Sequence, residues 1–218
     1  MKNEKPILFS GEMVRAILDG RKTMTRRVIK PQPEHDDVIL RYPNPYGNAE
    51  AALPPDYPDA DAGAMAGRDE WICPYGAPGT RLWVRESFAL HGGVNEEGSQ
   101  TIEYRADAVK DDSGERDGWW FGYRFIPGSM PWRPLIHMPR WASRITLEVT
   151  AVKVERVQDI SEDDARAEGV RGNAIGPWGC EGLIEDFSEL WDSINAKRGY
   201  PWASNPWVWV VSFERSGA

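Results

Sequence analysis

The octet Gly20-Arg21-Lys22-Thr23-Met24-Thr25-Arg26-Arg27 holds an ammonium, hydroxyls and guanidinium groups close enough in sequence to act on one ligand. If residues 23–29 run as a strand, the period of two sets Thr23, Thr25 and Arg27 on one face. Lys22 then sits in the turn at the strand entrance, free of that alternation. A hydroxyl at Thr25, a guanidinium two residues on and the Lys22 ammonium converge on a small volume, which suits an anionic or carbonyl-bearing ligand. Such a pocket could bind, or it could react. The alternative is a solvated basic edge strand in which Lys22, Arg26 and Arg27 discourage aggregation.

Two helices must position these groups. Met13, Ala16, Ile17 and Leu18 recur at near-helical spacing, which predicts a short amphipathic helix over residues 12–19, capped by Ser10 and stopped by Gly20. Far along the chain, Ser161-Glu162-Asp163-Asp164 reads as a capping box opening a short helix that ends at Glu168-Gly169. A carboxylate in a last turn opposes the helix dipole by a few tenths of a kcal/mol unless a cation compensates. Glu168 is therefore a candidate partner for Lys22 or Arg27, the other reading being an exposed glutamate beside solvent.

Around them, residues 6–9, 81–90, 101–106, 145–157 and 206–213 read as strands, and residues 182–196 as an amphipathic helix. Ile145, Leu147, Val149 and Ala151 are expected on one face of the long strand. Arg85 and Glu86 are consecutive on theirs, so they point to opposite faces and one of them faces the interior or a pocket mouth; the plainer reading is half of an internal salt bridge. His137 to Arg144 is the second concentrated polar group, in which Arg140 and Arg144, with Trp141 nearby, could contact phosphate or ribose. A lone histidine such as His137 is more often structural.

Two stretches, residues 31–78 and 109–134, are rich in Pro, Gly and Asp and read as long insertions, lids or mere decoration, with one short strand at residues 38–41. Trp119, Trp120, Phe121, Tyr123, Phe125 and Trp132 in the second could stack a base or pack as a satellite core.

Composition bounds the rest. A chain of 218 residues, 41% hydrophobic, can bury one sizeable core, so a single domain is the simplest reading. The net charge of −8 argues against broad coating of nucleic acid, leaving room for a local basic pocket. Cys73 and Cys180, like His35, His91 and His137, are scattered without metal-ligand spacing. The expectation is no metal, no cofactor and a reducing compartment. Residues 1–10 lack the apolar core of a signal peptide, and no stretch approaches the roughly 20 apolar residues of a membrane span. A cytoplasmic protein is expected.

The order of an apolar helix, Gly20, Arg21-Lys22-Thr23, then Thr25 and Arg27 resembles the ASCH domain, a small β-barrel of the PUA-like superfamily, in the forms carried by phages and prophages. Residues 78–86, 137–144, 159–162 and 205–210 agree in the same order. The resemblance implies an α+β fold: a small mixed β-barrel with flanking helices and the two insertions. For a phage product the compartment is the host cytoplasm.

Bacterial members of this group that hydrolyse N4-acetylcytidine are thought to use a lysine, a threonine and a glutamate, which fall here on Lys22, Thr25 and Glu168. What the resemblance implies is an amidohydrolase that removes an acyl group from a modified cytidine-type base; the roles are either Thr25 as nucleophile, Lys22 as its base and Glu168 orienting Lys22, or Lys22 as electrophile with Glu168 as base through water. Arg21, Arg27, Arg85, Glu86, His137, Arg140 and Trp141 are then candidates to hold the substrate, which is a nucleoside, a modified nucleotide or RNA. Two alternatives stand beside it: a non-catalytic RNA or modified-nucleotide binding module, and a ribonuclease.

Overall fold

Ser10 has extended backbone and its hydroxyl accepts from the Met13 amide, so a helix starts at Gly11; Gly20, with φ of +74°, ends it. This helix, α1 (Gly11–Leu18), buries Val14, Ala16 and Ile17. In the computed structural model, residues 4–33, 39–41, 51–52, 70–94, 100–107, 119–120, 123–124, 131–171 and 182–216 are described.

The strands in chain order are β1 (Glu4–Leu8), β2 (Met24–Val28), β3 (Ile39–Arg41), β4 (Ala51–Ala52), β5 (Glu70–Ile72), β6 (Arg81–Arg85), β7 (Phe88–Val94), β8 (Gln100–Tyr104), β9 (Trp119–Trp120), β10 (Tyr123–Arg124), β11 (Thr146–Arg156) and β12 (Trp207–Arg215). Two more helices, α2 (Glu162–Ala167) and α3 (Leu183–Asn195), complete an α+β fold.

Five strands form the main sheet in the order β1-β6-β11-β12-β2, with β1 and β6 parallel and the other pairs antiparallel. The central position of β12 explains its uninterrupted apolar run: Val208, Trp209, Val210 and Val211 are all buried, because both faces of the sheet are covered. Ile7, Phe9, Leu82, Val84, Leu147 and Val149 build the core on one face with α1, while Val208 and Val210 pack on the other against Leu183, Phe187 and Trp191 of α3.

Three expectations are corrected. The barrel is not closed: among the described residues β1 and β2 are free edges of an open sheet, tied only by the Arg27 side chain, whose Nη2 donates to the Leu8 carbonyl at 2.6 Å. Residues 81–90 are not one strand, since β6 ends at Arg85 and β7 starts at Phe88. The long strand does not keep Ala151 on the buried face either. A bulge between Val149 and Ala151 shifts the register, so Val152 turns inward and Ala151 outward.

The first insertion is less irregular than expected, because β3, β4 and β5 pair in a three-stranded sheet. In the second, β9 and β10 form a short hairpin. Phe121, Phe125, His35 and Cys180 lie outside the described residues, as do the side chains of Trp119, Trp120, Tyr123 and His91, and with them the expected base stacking or satellite packing of those rings. No helix among the described residues is long and apolar enough to cross a membrane.

Candidate functional site

Lys22 and Glu168 meet as an isolated antiparallel bridge between the turn after α1 and the end of α2. The Thr23 amide donates to the Ala167 carbonyl at 2.8 Å, and the Arg21 and Lys22 amides both donate to the Ala16 carbonyl. Ser161 caps α2 by accepting from the Asp164 amide, and Glu168 is its C-cap, followed by Gly169 at φ +88°. Gly169 is needed there: a Cβ would stand 3.0 Å from Ala16 Cβ and 3.1 Å from Lys22 Cβ.

That backbone lock seats the side chains. Lys22 Nζ donates to Glu168 Oε2 at 2.6 Å and to the Glu168 carbonyl at 2.7 Å, in a pocket where Lys22 is 2% and Glu168 5% exposed. Burial pulls the Lys22 pKa below its usual value; Glu168 pushes it back up, and the neighbouring Arg27 and Arg26 add to the lowering. Glu168 Oε1 has no hydrogen-bond partner.

β2 presents the rest. Its free edge borders an open cleft of about 450 Å³, which Thr25 and Arg27 reach from one face of the sheet and Arg26 and Val28 from the other. Glu168 lines this cleft; Lys22 lies behind it and does not. Thr25 is 3% exposed. The Arg27 guanidinium stands 5.1 Å from the Phe9 ring and Lys22 Nζ 5.8 Å from the same ring, so one phenyl ring contacts both cations. Arg27 Nε is buried without a partner. Apolar walls come from Met13, Tyr75, Trp209 and, across the cleft, Phe187, Leu190 and Trp191 of α3.

Arg26 is the residue that reading along the strand missed. Its side chain is fully enclosed and reaches Glu155 Oε1 at 2.5 Å, Asp164 Oδ2 at 2.6 Å and Glu168 Oε1 at 3.6 Å. Alternation places it opposite Thr25 and Arg27, but its acids come from β11 and α2, more than a hundred residues away, so no local spacing could have announced them.

The remaining candidates divide. Arg21 belongs with the site's frame, donating to Asp19 Oδ2 at 2.8 Å and to the Gly169 carbonyl at 3.2 Å. Arg85, Glu86, His137, Arg140 and Trp141 do not line the cleft. Arg85 and Arg140 flank the Trp83 ring at 5.3 and 6.0 Å; Arg85 donates to the Ile136 carbonyl, and Arg140 pairs with Glu4 at 2.7 Å. His137 is exposed, and Trp141 is 61% exposed.

Glu86 is instead an internal ion pair. Its buried carboxylate accepts from Arg144 Nε at 2.9 Å and Nη2 at 3.1 Å, while Arg144 also grips Asp107 and stacks 4.0 Å from the Tyr104 ring. Among the described residues no cluster of His, Cys, Asp or Glu has the geometry of a metal site. Cys73 is buried, which pushes its thiol up to about 11.

No family model and no curated protein matches the chain. A crystal structure of an Enterococcus faecalis protein of the family DUF984 aligns over 97% of this chain and 80% of that one, at 11% identity and a TM-score of 0.37, a likeness too slight to carry an argument.

Proposed function

We propose that this chain is an ASCH-type amidohydrolase that removes an acyl group from a modified cytidine-type base. The observation that carries the reading is the buried Lys22–Glu168 pair, with its depressed lysine, set behind a cleft that Thr25 and Arg27 line. A lysine at its ordinary pKa is a poor base near neutrality; burial, with Arg27 and Arg26 beside it, lowers the Lys22 value, against the raising effect of Glu168.

In this scheme Thr25 Oγ attacks the acyl carbonyl carbon and its proton passes to the neutral Lys22 Nζ, while the carbonyl electron pair moves onto oxygen. Arg27 faces the oxyanion so formed. Collapse of that adduct breaks the carbon–nitrogen bond, and Lys22 returns the proton to the departing cytosine amine. Water then hydrolyses the threonine ester with the same lysine as base, releasing the carboxylate. Glu168 Oε2 holds Lys22 throughout, and Oε1 remains to accept from a substrate N–H.

A second reading has its own observation. Trp83 between Arg85 and Arg140, beside the exposed Ile136 and Trp141, is a surface on which RNA could stack without being cut. Chromatographic detection of cytidine released from N4-acetylcytidine decides between them. Turnover that falls by at least about a hundredfold in both Thr25→Ala and Lys22→Ala supports the amidohydrolase. A folded protein with no turnover overturns it in favour of the binding module.

A further inference from the structure

The cleft is electropositive in a chain of net charge −8. Among the described residues its lining includes Arg26, Arg27, Lys30 and Arg198 against one acid, Glu168. Arg26 is neutralised by Glu155 and Asp164, and Glu168 by Lys22. Among the described residues Arg27, Lys30 and Arg198 have no carboxylate within ion-pair distance, whereas Arg26 and Glu168 do have charged partners. Such a field concentrates anions.

The placement of those cations is directional. Arg27 stands beside Thr25, whereas Lys30 and Arg198 lie at the far end, where α3 runs into a 3₁₀ turn, Ala196–Arg198, and Gly199. Lys30 Nζ sits 5.2 Å from the Tyr200 ring, two residues past Arg198, so side chains from the two walls meet around one turn. Phe187, Leu190, Trp191 and Ile194 of α3 line the cleft, followed by Arg198 of the 3₁₀ turn, while the α3 acids Glu185 and Glu189 are exposed elsewhere. The helix dipole alone would favour a cation at Arg198. It gives no reason for Lys30, which arrives from the opposite wall.

From Thr25 to Lys30 the chain covers roughly 16 Å if fully extended. A base held at Thr25 leaves the Lys30 end of such a cleft empty unless the ligand carries a further group, and the chemistry waiting there is that of a phosphate receptor. We propose that the ligand is a phosphorylated nucleoside, its base against Thr25 and Glu168 Oε1 and its phosphate held by Lys30 and Arg198. The base end of this assignment rests on the amidohydrolase reading; the anion end does not. The phosphate belongs either to a free mononucleotide or to the 5′ end of an RNA.

Trp191 and Trp209 line the cleft and report occupancy by fluorescence. Titration with N4-acetylcytidine, its 5′-monophosphate and a short RNA bearing the same 5′-terminal nucleotide tests the proposal, with cytidine release followed in parallel. The 5′-monophosphate should bind at least about tenfold more tightly than the nucleoside, with a salt dependence the nucleoside lacks. Lys30→Gln with Arg198→Gln should bring that ratio close to one, and Lys30→Arg with Arg198→Lys should restore it. Equal affinities for nucleoside and monophosphate in the unaltered protein overturn the proposal, whatever the variants do. Phosphate preference without turnover keeps the anion subsite and removes the amidohydrolase; turnover without phosphate preference does the reverse. Comparable binding of the RNA identifies a polymer end as the source, and its exclusion identifies the free nucleotide.

Discussion

Arg26 Nη1 stands 3.6 Å from Glu168 Oε1, the carboxylate oxygen left over once Lys22 has taken Oε2. One buried guanidinium thus holds Glu155 and Asp164 and also steadies, from behind, the glutamate that holds the lysine. The pairing links β2 to β11 and to α2.

Removing Arg26 leaves the part-buried Glu155 and Asp164 with Lys153 alone, and Glu168 with Lys22 alone. Arg26→Leu should cost about 1–3 kcal/mol in urea unfolding, the range for losing charge-assisted hydrogen bonds from acids that keep a second cation. Arg26→Lys, which keeps the charge but loses the fork, should recover part of it. A loss under about 1 kcal/mol for the leucine variant would show that Lys153 and Lys22 suffice for the three acids.

Lys22 should make the fold sensitive to alkaline pH in a definite direction. Its folded pKa lies below the usual 10.5, burial being the largest cause, so between the folded value and about 10.5 the unfolded chain binds more protons. Stability, measured relative to Lys22→Met, therefore rises with pH through that window and is lost as pH falls through the folded pKa. Glu168→Gln removes a group that raises this pKa and should shift the titration lower, whereas Arg27→Gln should shift it higher. NMR titration of 13C-methylated lysine reads all three; shifts of the same sign in the two variants would contradict the arrangement.

Gly169 and Gly20 both hold a left-handed backbone, but only one is crowded. Gly20→Ala meets nothing within 4 Å and should cost about 1 kcal/mol for its φ alone. Gly169→Ala adds contacts at 3.0 and 3.1 Å against Ala16 and Lys22, and should cost about 2–3 kcal/mol. It should also displace Lys22, so cytidine release falls more in this variant than in Gly20→Ala. Equal effects on unfolding and turnover would mean the α2 end yields without strain.

Glu86 and Arg144 should matter for the fold and not for the cleft. Arg144→Met leaves the 1% exposed Glu86 carboxylate unpaired and should lower stability by about 3 kcal/mol. Adding Glu86→Gln should return part of that loss, since an unpaired neutral amide costs less to bury than a charge. Nucleotide affinity at the cleft should follow neither change; a tenfold weakening would place Glu86 in the binding machinery after all.

Much of the frame was written locally. Ser10 and Ser161 as caps, Gly20 and Gly169 as stops, and the position of Glu168 at the end of a short helix all follow from neighbours within about four residues, where capping and backbone freedom are decided. The alternation that set Thr25 and Arg27 on one face of β2 and the amphipathic stripe of α3 are equally local.

Other features depended on which surfaces the fold turned toward each other. Lys22 and Glu168 are separated by 146 residues, and either could have faced solvent until the α1 turn and the α2 end joined as a bridge. Arg26 became a buried hub because β2 took the sheet edge beneath α2 and α3. Ala151 lost its buried place to Val152 because the bulge let β11 stay paired with β12 while both twisted. Arg85, His137, Arg140 and Trp141 carry the residue types of a binding site, but the sheet order placed them away from the cleft. Ionic groups act over a few ångströms; their spacing along the chain specifies their chemistry, and tertiary packing alone selects their partners.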